Sequence, residues 1–406
     1  MYNDMEKGQK KMNFRKIDYI WIFVVLIVFG ASVLLGGKIQ KDKSKEELMA
    51  QGYYPLQAVM KVSGYTALES DKYTYSKEEA TVTIGISYDF KKEICEKNRY
   101  EFSLEHMWLQ KEDDIYVYKE VLEKILNCEL TYTDNGKISA NPISFTQHEW
   151  TTAFEPLVAH SGGYARLEEY AASYCNALEV LLENYSLGHR VFEIDFYLTS
   201  DNKLAAVHDW NHQGNFDGEW LSEEEWRNSV VYGQPGGEFT SMMIDDILDE
   251  MLVNKDMFIV TDTKFEGIET LLQFQLIYDA AKERDLTLLD RIIPQIYNEY
   301  MYELIMSVYE FPSIIYTVYA TDASADEVIY FAEKHQNIRV ITAPKDDARF
   351  DENAIGKIHD NDLLLYTHTI QSYAELTLGK AKGVDGFYTG LLLPRDIETY
   401  NNIKEW

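Results

Sequence analysis

The chain has 406 residues, 46% of them hydrophobic, and a formal net charge of −30. That length suits two or three domains, or one large barrel with additions. Such acidity argues against a nucleic-acid partner, whose phosphates need a basic surface, and against broad adsorption to anionic lipid; a phosphate-bearing substrate would need a local cation.

Residues 1–16 form a short basic tail containing Lys7, Lys10, Lys11, Arg15 and Lys16. From Tyr19 to Gly37 no residue is charged, which matches the ~20 apolar residues a helix needs to cross a bilayer. Tyr19 and Trp21 sit where interfacial aromatics belong. The apolar run is longer than a signal-peptide core and no A-x-A site follows, so 17–37 reads as an uncleaved transmembrane helix. Lys38, Lys41, Lys43 and Lys45 nearly balance the basic tail, so charge alone discriminates weakly between orientations. A short tail, one span and a long domain place the protein in the cell membrane, single-pass, with the long domain extracellular. Residues 38–50 read as a polar tether.

Residues 51–150 read as a small accessory α+β region of unknown role. The stretch 80–88 alternates like a strand, 117–126 has the pattern of an amphipathic helix, 128–133 resembles another strand, and 134–137 (Asp-Asn-Gly-Lys) signals a turn. The three cysteines, Cys95, Cys128 and Cys175, make no disulfide framework and no zinc motif, although Cys95 and Cys128 could pair if this region lies outside the cell.

From about residue 155 the pattern becomes regular. Strand-length apolar runs occur at 156–159, 191–196, 204–207, 257–261, 292–296, 314–319, 338–342, 363–366 and 386–389. Helical stretches separate most of them, at 177–184, 267–283, 299–309, 325–335 and 373–382. This alternation, without a GxGxxG stretch or a P-loop, predicts an α/β fold, a (β/α)8 barrel over residues 151–406. Nine strand candidates are one too many, and a hairpin absorbs the surplus. In that hairpin Glu193 and Asp195, two apart, point to one face of an extended strand. The turn residues 199–203 lead into 204–207 and His208. A four-residue loop would set His208 opposite Asp195, and a one-residue slip would turn it over. Paired hard oxygen ligands suit a divalent cation, and a nearby imidazole suits proton transfer. Other strand ends carry His160, Asp262, Lys264, Gln295 and His368, a clustering of polar groups at one mouth that packing does not explain. Asn176, three before Glu179, reads as a helix N-cap whose N-terminus could face an anion. The long connection 209–256 contains a predicted helix at 241–252.

The segments LVAHSGG, NALE, GHRVFEIDFYLTSDNKLAAVHDW, FIVTDTK, PQIY, LYTHT and GVDGFYT, in that order over roughly residues 155–396, resemble the glycerophosphodiester phosphodiesterase family. That family belongs to the barrel phosphodiesterases that include phosphatidylinositol-specific phospholipase C. The resemblance implies a TIM barrel of the phospholipase-C-like type, with His160 and His208 as catalytic residues and Glu193, Asp195 and Asp262 as ligands of one divalent ion, Ca²⁺ or Mg²⁺. It places Lys264 at the phosphate, with Gly162 and Asn176 as further substrate-binding residues, and makes the substrate a small-molecule or lipid-derived phosphodiester. The insertion 209–256 would cover the site and bear on the choice of alcohol. Two positions depart from the family pattern: Asp262 stands where glutamate is commoner, and Ser161 where arginine follows the first histidine. Without that bidentate hold, the phosphate falls to Lys264, the metal and the Gly162 and Gly163 amides. A non-catalytic binding module on a degenerate barrel is the rival reading. A glycosidase is disfavoured, since Glu193 and Asp195 share a strand face too closely to flank a sugar.

Overall fold

The computed structural model describes residues 44–133, 136–166, 171–172, 175–211, 218–233 and 236–404. The apolar segment 17–37 lies outside them, and among the described residues no helix is long and apolar enough to cross a membrane. The chain divides into two units, residues up to 77 with 85–141, and residues 78–84 with 142–406.

The second unit is a closed parallel barrel. Its strands are β1 (Leu157–Ala159), β2 (Val191–Leu198), β3 (Phe258–Asp262), β4 (Ile292–Ile296), β5 (Ile314–Thr317), β6 (Ile338–Pro344), β7 (Leu364–Ile370) and β8 (Gly386–Thr389). Each pairs with the next, and β1 pairs with both β2 and β8, so the sheet has no open end among these strands. The period-two alternation of each strand explains the interior: Val191, Val260, Ile293, Ile315 and Val340 point inward into one buried cluster. A ninth strand, Leu204–Ala206, folds back antiparallel on the upper half of β2, the surplus element that the sequence pattern assigns to the hairpin.

Helices cover the outside: α1 (Leu178–Ser186), α2 (Ile244–Val253), α3 (Ile268–Arg284), α4 (Glu299–Val308), α5 (Ala325–Ala332), α6 (Glu352–Asp360), α7 (Tyr373–Lys382) and α8 (Pro394–Lys404). Their starts follow side-chain caps: Asn298, Ser324, Asp351 and Ser372 each accept a backbone N–H of the first turn, which answers donors that have no partner within the helix. Helix α6 is absent from the sequence-based pattern. It buries only Ala354, Ile355 and Ile358 against a charged remainder, a stripe too thin to stand out. The insertion packs on Trp210 and Trp226, whose rings meet edge to face at 5.4 Å in a second buried cluster. Trp210 is therefore core, and its indole donates to the Leu198 carbonyl.

The first unit contains a five-stranded sheet of consecutive strands from Thr66–Leu68 to Tyr100–Ser103, a three-stranded sheet and a two-stranded sheet. The expected strand at 80–88 is observed as Val82–Asp89 and the expected helix as Lys119–Leu126, with a strand, Asp114–Tyr118, running up to it. Cys95 and Cys128 are free, buried thiols and not a disulfide.

His189, just before β2, is fully buried, and its Nε2 donates to the Leu392 carbonyl at 3.0 Å. Burial pushes its pKa down to about 3. A base with a depressed folded-state pKa stabilises the fold above its unfolded value and loses that contribution as acid protonates the unfolded chain. Lowering the pH from about 7 to about 5 is expected to cost about 2 kcal/mol at this residue. Denaturant unfolding at both pH values checks this: His189→Gln flattens the slope, and an unchanged slope would refute the assignment.

Candidate active site

The inward-facing residues at the C-terminal ends of the strands change from apolar to polar. On β2, Glu193 and Asp195 sit above Val191, and Asp195 lies in register with Asp262 at the end of β3. All three are at least 95% buried, and one carboxylate oxygen of each lies within 4.8 Å of the others. Adjacent parallel strands at identical register, with the same alternation, force this meeting.

A turn after β1 holds the first two carboxylates. Ser161, with a left-handed φ of 51°, donates its N–H to Glu193 Oε2 at 2.7 Å and its Oγ–H to Asp195 Oδ2 at 2.9 Å. The tight path requires glycine next: a Cβ on Gly163 would lie 2.4 Å from Asn184 Cγ. Gly162, buried and also at positive φ, completes the turn. Asn176 is not the N-cap of α1. The cap position is Ala177, without a side-chain bond. Asn176 instead donates Nδ2–H to Asp195 Oδ2 at 2.8 Å and accepts the Asp195 N–H at 3.1 Å.

Lys264 places its ammonium 2.6 Å from both Asp195 Oδ1 and Asp262 Oδ2. Burial works against its charge, but Asp195, Asp262 and Glu193 outweigh it and hold the lysine protonated. The same ammonium, with His208 and His160, overrides burial at Asp195 and keeps that carboxyl below its usual range. Burial, then the charges of Asp195 and Asp262, pushes Glu193 well up. Burial also raises Asp262.

His160 follows β1 and points inward, with Nε2 3.8 Å from Glu193 Oε2. Burial lowers its pKa to about 4, so the ring is neutral at neutral pH. His208 is one residue out of the expected register. Five residues separate Leu198 from Leu204, so Val207 takes the position opposite Asp195. The ladder ends at Ala206, which frees His208 from the alternation. It lies close enough to favour the ionised forms of both Asp195 and Asp262, and its Nδ1 bonds Asp209 Oδ2 at 2.6 Å, which sets the ring's orientation.

Pattern reading missed Tyr319, whose hydroxyl reaches Asp262 Oδ2 at 3.3 Å, and Tyr388, whose hydroxyl donates to Gln295 Oε1 across the barrel at 3.0 Å. Inward alternation from Ile315 and from Gly386 was the available signal for both.

The cluster fits a divalent cation. Three carboxylates face one ammonium, Glu193 Oε1 is buried without a hydrogen-bond partner among the described residues, and the donors are hard oxygens of the type Ca²⁺ and Mg²⁺ take.

No family model and no curated protein matches the chain. Solved structures do. A glycerophosphoryl diester phosphodiesterase from Parabacteroides distasonis is 14% identical, covering 64% of this chain and 93% of its own, with a TM-score of 0.48. A glycerophosphodiester phosphodiesterase from Thermotoga maritima is 15% identical, covering 61% and 97%, with a TM-score of 0.45. A phosphodiesterase from Oleispira antarctica, in complex with the product sn-glycerol-3-phosphate, is 14% identical, covering 62% and 99%, with a TM-score of 0.47. In its strand-end residues and their order, the chain resembles the glycerophosphodiester phosphodiesterases.

Proposed function

We propose that this chain is a membrane-anchored, divalent-cation-dependent phosphodiesterase that hydrolyses glycerophosphodiesters to glycerol 3-phosphate and an alcohol. One observation carries the reading: Glu193, Asp195 and Asp262 meet in a buried triad at the barrel mouth beside a neutral His160. Glu193, Asp195 and Asp262 would hold the ion, which when bound supplies Lewis-acid polarisation of the phosphoryl oxygens. His160 Nε2, held neutral, accepts the proton of the attacking hydroxyl. His208, oriented by Asp209, protonates the departing alkoxide. Lys264 offsets the charge that develops on phosphorus-bound oxygen. Ser161 and Asn176 keep the carboxylates aimed. The apolar segment 17–37 anchors the chain, with the barrel outside the cell.

The test is glycerol 3-phosphate release from several glycerophosphodiesters by the full chain in detergent, with Ca²⁺ and with Mg²⁺. Turnover that disappears with chelator is expected. No turnover of any diester with either ion would sink the reading.

The position of Lys264 favours a second reading, in which the ammonium fills the cation's place and the barrel only binds. Calorimetry of Ca²⁺ and Mg²⁺ separates the two. Lys264→Met removes a positive charge in contact with two ligands, so it is expected to tighten Ca²⁺ binding by about tenfold or more and to lower turnover by about a hundredfold. A chain that binds neither ion until the lysine is removed would establish the second reading.

A further inference from the structure

The wall of the mouth facing away from the β2 hairpin has no assigned role. It is built by the ends of β5, β6 and β7. Pro344 on β6 is in register with His368 on β7, and Thr317 on β5 with Thr342 on β6. By alternation from Ile315, Val340 and Leu364, all packed in the barrel interior, Thr317, Thr342 and His368 point inward. Thr317 and Thr342 are 0% and 1% exposed, and their hydroxyls have no hydrogen-bond partner among the described residues. The His368 ring lies 5.5 Å from that of Tyr319 and 6.1 Å from that of Tyr388. The buried His189 and the half-buried His148 and His335 each bond a carbonyl. The His368 ring makes no hydrogen bond to the described residues, and its Nε2 is buried. Burial, with His160 and Lys264 nearby, lowers its pKa to about 4, so it is neutral.

Buried polar groups ordinarily find partners, and this wall holds three inward-facing ones without a partner among the described residues. It is also uncharged. The basic residues at these strand ends are engaged elsewhere, Lys345 by Glu375 and Arg349 by Asp347 and three carbonyls. A phosphoryl group belongs with the cation site and Lys264 across the mouth. A neutral wall of hydroxyls, one imidazole and aromatic faces suits the other half of the molecule.

We infer that the wall formed by Thr317, Thr342, Tyr319 and His368 is the subsite for the alcohol half of the diester, and that it takes a hydroxylated alcohol in preference to a quaternary ammonium. The inference rests on the proposed phosphodiesterase reading. A polyol supplies hydrogen-bond partners to His368 and the threonines; a trimethylammonium group leaves them unpaired, and discrimination of this kind is large when a site is built to bond hydroxyls.

The experiment compares glycerophosphoinositol with glycerophosphocholine, using the full chain in detergent with Ca²⁺. The wild type is expected to prefer the inositol diester. His368→Ala is expected to lower kcat/KM for that diester by about tenfold, with less than about a twofold change for the choline diester. Thr317→Val, close in shape and without the orphaned hydroxyl, is expected to shift the ratio the same way with no loss of Tm. Equal losses on both diesters, or no change in either, would overturn the subsite. If the wild type cleaves neither diester, the phosphodiesterase reading is decided by the wider screen of diesters with both ions, and the subsite is judged by calorimetry. Glycerophosphoinositol binding weakened about tenfold by His368→Ala supports it; no binding by the wild type, or binding the variant leaves unaltered, overturns it.

Discussion

Glu193→Gln is expected to abolish cation-dependent turnover, with kcat/KM down by about a thousandfold or more, roughly 4 kcal/mol of transition-state stabilisation. Glutamine keeps the shape and still accepts the Ser161 N–H, so the variant tests charge and not packing. Glu193 is 2% exposed and its carboxyl is pushed well up by burial and by its acidic neighbours. Removing the charge relieves that conflict, and the variant is expected to be at least as stable as the wild type. Calcium titration followed by heat, together with kcat/KM at saturating ion, checks both halves. Turnover within about tenfold of wild type, or a variant that no longer folds, would remove Glu193 from the role of ligand.

The second large effect is at the histidines. His160→Ala and His208→Ala are each expected to lower kcat by about a hundredfold to ten-thousandfold. The double variant is expected to be hardly worse than the weaker single one, because the two proton transfers serve one reaction. His160 also predicts the pH profile. Burial pushes its pKa down to about 4, so the form able to accept a proton persists as pH falls. The acid limb of kcat/KM is therefore expected below about pH 5, well under the usual range of an imidazole. An acid limb near the ordinary histidine value would take the base role away from His160.

The elements of the barrel were legible because they follow simple periods. The alternation that brings Glu193 and Asp195 to one face is visible in five letters, and the strand–helix repeat that carries Asp262 to their side needs only counting. The details that refine the site were not. Whether His208 stands opposite Asp195 depends on one residue of hairpin register, which turn residues alone do not specify. Asn176 has the spacing of a cap, and its bond to Asp195 links positions that only the closed barrel juxtaposes. Tyr319 and His368 share strand ends with residues of ordinary packing, and what distinguishes them is the direction each side chain takes. In the N-terminal region only the strands observed as Val82–Asp89 and Cys128–Tyr132 were visible in the sequence pattern, and among the described residues no metal-ligating cluster lies there.

The closure of β1 against β8 has a consequence for biosynthesis. His160 enters the centre from the first strand of the barrel, and the Tyr388–Gln295 contact that crosses the barrel comes from its last. Until the ribosome has delivered residues 386–389, β1 has one neighbour instead of two, and a three-residue edge strand is poorly held. A partly synthesised chain can gather Glu193, Asp195 and Asp262 early, from a local hairpin and the strand beside it, but it fixes His160 only after β8 has been made. On the proposed reading, the proton acceptor is thus set only once β8 has joined the sheet beside β1.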